Sequence, residues 1–142
     1  MNTSTLIKKA SQLLVKKANE LLKSHGITHA YTHFLMELYE QDGLTQSEMH
    51  KRIGIEQPTA VRTLDRMERD GLIIRNPSST DRRAISINLT DKARQYQKII
   101  EQCALELNHI ALDTFTDKEK TIINQLMSRL NDNLLKNSHN KV

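Results

Sequence analysis

Apolar residues recur at intervals of three and four in four long stretches of the chain, each with polar residues opposite. Residues 4–24 place Ile7, Ala10, Leu14, Ala18 and Leu21 on one side and Lys8, Lys9, Lys16, Lys17 and Lys23 on the other. Residues 29–41, after a candidate N-cap at Thr28, turn Phe34, Leu35 and Leu38 inward. Residues 91–113 carry Ala93, Tyr96, Ile100, Cys103, Leu107 and Ile110 in one stripe. Residues 117–136 repeat Ile122, Leu126, Leu130 and Leu134, with Ile123 and Met127 beside them. Each pattern predicts an amphipathic helix. Thr116 and Glu119 form a capping box at the head of the last one, each side chain placed to satisfy the other residue's backbone.

The middle of the chain is more finely divided. A second capping box, Thr45 and Glu48, starts a short helix that stops at Gly54. After a turn, Pro58 stands where a helix begins, because its missing N–H is not needed there. That segment, 58–70, ends at Gly71. LIIR and AISINL then read as two strands, the second with Ile85, Ile87 and Leu89 on one face and Ser86 and Asn88 on the other. Asn76, Pro77, Ser78 and Ser79 supply turn chemistry between them. Two helices joined by a tight turn and followed by a hairpin predict a winged helix-turn-helix. The fold class is mainly α with a small β-hairpin (α+β), and long helices flank the winged core.

Composition narrows the classes without choosing among them. A chain of 142 residues, 37% hydrophobic and 27% charged, suits one compact domain with additional helices. No run is apolar enough for a membrane span, and the first residues lack the layout of a signal peptide. One cysteine, Cys103, excludes an internal disulfide, so a cytoplasmic location is expected. The net charge of +4 permits nucleic-acid binding without requiring it. There is no Gly-rich phosphate loop, nucleophile elbow or convincing carboxylate pair, so no enzyme activity is expected.

Helix 58–70 carries the first chemical signal. Thr59, Arg62, Thr63 and Arg66 fall at i, i+3, i+4 and i+7 and are expected to share its solvent side. Two arginines and two hydroxyls on one stripe suit a DNA major groove. Gln57, Pro58 and Thr59 sit at the helix N-terminus, where free backbone N–H groups favour phosphate. The competing assignment pairs Arg62 and Arg66 with Asp65, Glu68 and Asp70 on a solvated face. Residues 44–83 hold eight Lys/Arg and six Asp/Glu, a difference of +2, which does not decide between them. The hairpin tip adds weight to DNA. Arg82 and Arg83 would enter a narrow groove of negative potential, with Asp81 holding one guanidinium extended.

The string DGLTQSEMHKRIGIEQPTAVRTLDRMERDGLIIRNPSSTDRRAISINLTDKA, residues 42–93, resembles the MarR family of bacterial winged-helix regulators. The matching elements are the LTQSE opening, Gln-Pro-Thr at the recognition helix, the Leu-x-x-Met-Glu-x-x-Gly-Leu-Ile run, and Asp-x-Arg before a strand ending Leu-Thr. The resemblance implies a homodimer of interleaved terminal helices that binds pseudo-palindromic double-stranded DNA and is released by a small-molecule effector. It assigns Gln57, Pro58, Thr59, Arg62, Thr63 and Arg66 to the recognition helix. Asp81 and Arg83 fall on the wing acid and the groove-inserting arginine, with Arg82 adjacent. The apolar stripes agree with a dimer, since a winged core of about fifty residues cannot bury them all. The expected layout is a dimerisation helix over 1–28, the DNA-binding winged helix over 29–92, and dimerisation helices over 93–142.

An effector crevice would draw on Leu14, His25, His29, His33 and Phe34, although such residues more often serve as plain core or rim. His29 and His33 share a helical face with Glu37, and His109 with Glu106 would offer further ligands. A loop separates His25 from the helix and no cysteine is near, so neither metal nor other cofactor is expected. Cys103 lies mid-stripe, where a buried thiol is inert. The expected function is a dimeric, ligand-responsive repressor that reads DNA sequence. The alternatives are a winged helix serving as a protein-interaction module and a metal-sensing variant of the regulator.

Overall fold

The structure is a computed structural model that describes residues 1–138. Helix α1 (Thr3–Leu22) is capped by the Asn2 side chain, which accepts the Thr5 N–H, and it runs into a single 3₁₀ turn at Lys23–His25. Then come α2 (His29–Glu40), α3 (Gln46–Ile53) and α4 (Gln57–Arg69). Thr45 caps α3 by accepting the Glu48 N–H, while its own hydroxyl donates to the Glu48 carboxylate. Gly54 ends α3 in the left-handed region, at φ 71°, and returns its N–H to the His50 carbonyl. Gly71 does the same work after α4, at φ 79°.

Strands β1 (Ile73–Pro77) and β2 (Ile85–Leu89) pair antiparallel, with Ile73 opposite Leu89 and Pro77 opposite Ile85. The α2–α3 connection widens this hairpin. Ile87 donates to the Leu44 carbonyl, Gly43 donates to the Ile87 carbonyl, and Thr45 bridges Ser86. The pleat buries Ile87 and Leu89 as their alternation predicts, but Ile85 lies beyond the core's reach and is exposed.

The stretch 91–113 is not the single helix its periodicity predicts. It divides into α5 (Asp91–Gln95) and α6 (Gln97–Ala111), with a turn at Tyr96. The Ala93 carbonyl accepts both the Tyr96 N–H and the Tyr39 hydroxyl, the latter at 2.6 Å, so it is taken out of the regular ladder. The turn lets Ala93 and Ile100 both enter the core.

The chain divides into two compact units, Met1–Leu107 and the residues from Asn108 on. The core of the first is aliphatic: Leu35, Leu38, Leu44, Met49, Leu64, Met67, Ile73 and Ile87 are fully buried around Phe34. Leu22 joins it from α1 and Ile100 from α6, so the winged core uses both flanking helices. The second unit holds the end of α6, a turn in which Thr114 adopts φ 75°, and α7 (Asp117–Ser138). The α7 capping box forms as predicted: Thr116 N–H reaches the Glu119 carboxylate at 2.9 Å and Glu119 N–H the Thr116 hydroxyl at 3.1 Å. None of the α7 residues is buried.

Candidate nucleic-acid interface

Helix α4 packs by its Ala60, Leu64 and Met67 face, and this leaves Gln57, Pro58, Thr59, Arg62 and Arg66 in solvent. Thr63 departs from the predicted solvent stripe. It is buried, and its hydroxyl donates to the Thr59 carbonyl at 3.0 Å. The reason is angular: at about 100° per residue, Thr63 stands midway between Arg62 and the Leu64 side, where packing decides the outcome. Pro58 lies within the first turn and withholds a donor there, so the helix start offers phosphate fewer N–H groups than an ordinary N-terminus.

The acids of α4 and its C-cap are engaged away from Arg62 and Arg66. Asp65 and Glu68 both accept from Arg75 on β1, at 2.7 and 3.1 Å, and the Glu68 carboxylate also takes the Arg75 backbone N–H at 3.0 Å. These bonds from Arg75 hold the Glu68 carboxyl below its ordinary range. Asp70 accepts the Tyr31 hydroxyl at 2.6 Å and the Arg69 guanidinium at 3.1 Å, and its carboxyl is lowered by the same two partners. Among the described residues, Arg62 and Arg66 therefore have no ion pair. The assignment of these arginines to local salt bridges does not hold.

The wing beyond the strands is closed by Ser78 donating to the Ala84 carbonyl, and Ala84 to the Asp81 carbonyl. Asp81 has a different role from the one expected of it. Its carboxylate accepts the backbone N–H of Arg83 at 2.9 Å, and it forms no ion pair among the described residues. A short acid two residues before an N–H makes an Asx turn, a closer target than a flexible guanidinium. Asp81 thus shapes the loop, while Arg82 and Arg83 both extend into solvent.

Residues 27–85 match the MarR family model. Residues 27–85 are a MarR family domain. Solved structures of similar proteins carry the likeness across nearly the whole chain. An uncharacterized SlyA-like transcription regulator from Listeria monocytogenes is 20% identical, covers 96% of this chain and 91% of its own, and superposes with a TM-score of 0.89. MepR of S. aureus, solved in complex with DNA, is 26% identical over 94% of this chain and 98% of its own, with a TM-score of 0.85. A MarR transcriptional regulator from Methanosarcina mazei is 22% identical over 96% and 93%, with a TM-score of 0.83.

Within the first unit, an open cleft of about 730 Å³ runs between α1, the start of α2 and α4. His29 and His33 line it with Val15, Asn19, Thr59 and Thr63. The two imidazoles meet edge to face, centroids 4.6 Å apart, and burial together with His33 lowers the His29 pKa. The other three predicted crevice residues lie elsewhere. Phe34 is core at 1% exposure, whereas Leu14 and His25 are exposed and outside the lining. No signal within one helix would have found Thr59 and Thr63 here, because the cleft is made by three helices far apart in sequence. Among the described residues, no group of three or more His, Cys, Asp or Glu is placed to hold a metal. No described helix is long and apolar enough to cross a membrane.

Cys103 is half-buried, its thiol lying 3.8 Å from the Leu21 carbonyl of α1. Burial raises its pKa, which disfavours the reactive thiolate.

Proposed function

We propose that the chain is a dimeric, sequence-specific DNA-binding transcriptional regulator, a repressor that a small ligand releases. The observation that carries this reading is the division of charge on α4. Its carboxylates are held by Arg75, Arg69 and Tyr31, and Arg62 and Arg66 stand free on the exposed side. In the proposed complex, Arg62 and Arg66 read base edges in the major groove while Gln57, Pro58 and Thr59 meet the backbone at the helix start. Arg82 and Arg83 enter the adjacent minor groove on a loop that Asp81 has shaped in advance.

A dimer completes the reading. Leu6, Leu13, Leu14 and Val15 on α1, and Ile122, Leu126, Leu134 and Leu135 on α7, are large apolar side chains left exposed by one chain. Covering them with a second copy would place two recognition helices about 34 Å apart, one turn of duplex. Effector release follows from the cleft, since Thr59 and Thr63 of the recognition helix form part of its wall. A ligand favouring one cleft shape would shift the population of helix orientations.

The test is fluorescence-anisotropy titration of DNA from the protein's own upstream region, against a scrambled duplex and across a salt series. Tight, salt-sensitive and selective binding supports the regulator. Absence of binding even at low salt would overturn it in favour of a protein-interaction module. Arg83→Ala is expected to weaken binding to both duplexes and to reduce the salt slope by about 1. An unchanged slope would remove Arg83 from the groove.

A further inference from the structure

We propose that Arg75 is a charge-cancelling positioning residue for DNA binding: it occupies the Asp65 and Glu68 carboxylates, so α4 meets DNA with Arg62 and Arg66 unopposed. This inference rests on the DNA-binding reading above and assigns a role to a residue at the base of the wing.

The geometry begins with the helix wheel. Seen down α4, Arg62 and Arg66 lie about 40° apart, Asp65 about 60° to one side of Arg62, and Glu68 further round in the same direction. The polar face is thus half cationic and half anionic, and Asp65 at i+3 is close enough to draw Arg62 onto itself. Unpaired, the two acids would either hold Arg62 or face the phosphates. Both outcomes weaken attraction to a polyanion.

Arg75 prevents both. Its guanidinium contacts Asp65 at 2.7 Å and Glu68 at 3.1 Å, and its side chain is only 19% exposed while theirs are 56% and 41% exposed. A group this covered cannot itself track the backbone of a duplex, so its effect passes through the carboxylates. Glu68 holds Arg75 a second time through the backbone N–H at 3.0 Å, which fixes where the guanidinium emerges from β1. Arg75 stands opposite Ile87, which is fully buried, so the donor is anchored to the core. Lysine would serve less well, because one guanidinium nitrogen here reaches two carboxylates from a planar, fully ionised group. The lowered Glu68 carboxyl agrees with this arrangement.

The experiment compares wild type, Arg75→Met, and Arg75→Met combined with Asp65→Asn and Glu68→Gln. The probe is a mixed-sequence duplex of about 30 base pairs, roughly three turns, at low salt. Arg75→Met is expected to bind about tenfold more weakly, and the triple variant to recover to within about threefold of wild type. Wild-type affinity in Arg75→Met, or a triple variant as weak as the single, would overturn the proposal. The second result would mean that Arg75 touches DNA or that the wing has lost its shape. If wild type binds no duplex, the DNA-binding reading fails and this role fails with it. A measurement without DNA separates the clamp from that reading. In a carboxyl-carbon NMR titration, Glu68 is expected to ionise below its ordinary range in wild type and to return toward it in Arg75→Met. An identical Glu68 titration in both proteins would overturn the clamp itself.

Discussion

Helix α4 hides its Ala60, Leu64 and Met67 face inside its own chain, whereas α7 repeats a similar spacing of apolar residues and hides none of them. Both patterns are amphipathic, yet among the described residues only α4 finds full cover, and Ile123, Met127 and Leu130 of α7 are no more than half-buried. For α4 the solvent side stays exposed, with Arg62 and Arg66 unpaired on it among the described residues. For α7, Leu126, Leu134 and Leu135 stay exposed, the face that the proposed second copy would cover. The difference shows that periodicity identifies a buried face but not whose atoms bury it.

The largest expected effect comes from α7. Replacing Leu126 and Leu134 together by Glu should halve the mass seen by sedimentation equilibrium, since two carboxylates would be buried in the proposed dimer contact. A variant that keeps the wild-type mass would place the contact elsewhere. Next in size is Leu64→Ala on the covered face of α4. It is expected to cost about 2–5 kcal/mol in chemical denaturation, the usual cost of truncating a fully packed leucine. A loss below about 1 kcal/mol would show that this face is loosely packed. The smallest is Tyr39→Phe, which removes one donor from the Ala93 carbonyl and should cost about 1 kcal/mol. Its finer signature is faster amide exchange around Tyr96; exchange that stays unchanged would mean the hydroxyl does not hold that turn.

Much of this was legible in the residues themselves. The Thr45 N-cap, the capping box at Thr116, the stops at Gly54 and Gly71, and the pleat of Ile87 and Leu89 all form where their local chemistry places them. Each needs only neighbours within a few positions. The departures share the opposite property. Thr63 lies on the border of two faces, and only tertiary packing settles its side. The turn at Tyr96 contains neither Gly nor Pro; it depends on a hydroxyl 54 residues earlier in the chain than the carbonyl it takes. Asp81 was matched to the nearest opposite charge, but a backbone N–H two residues away was the easier partner. Arg75 reads as one strand residue among several until the fold brings Asp65 and Glu68 to it.

Cys103 gives this architecture a built-in clock. Its sulfur faces the Leu21 carbonyl, so the half-buried thiol loses part of its cover when α1 leaves α6. The sequence holds no second thiol to compete for a reagent. The rate at which a small alkylating agent reaches Cys103 below the unfolding transition would therefore rise as those two helices separate. It would report on a local event that bulk unfolding averages away.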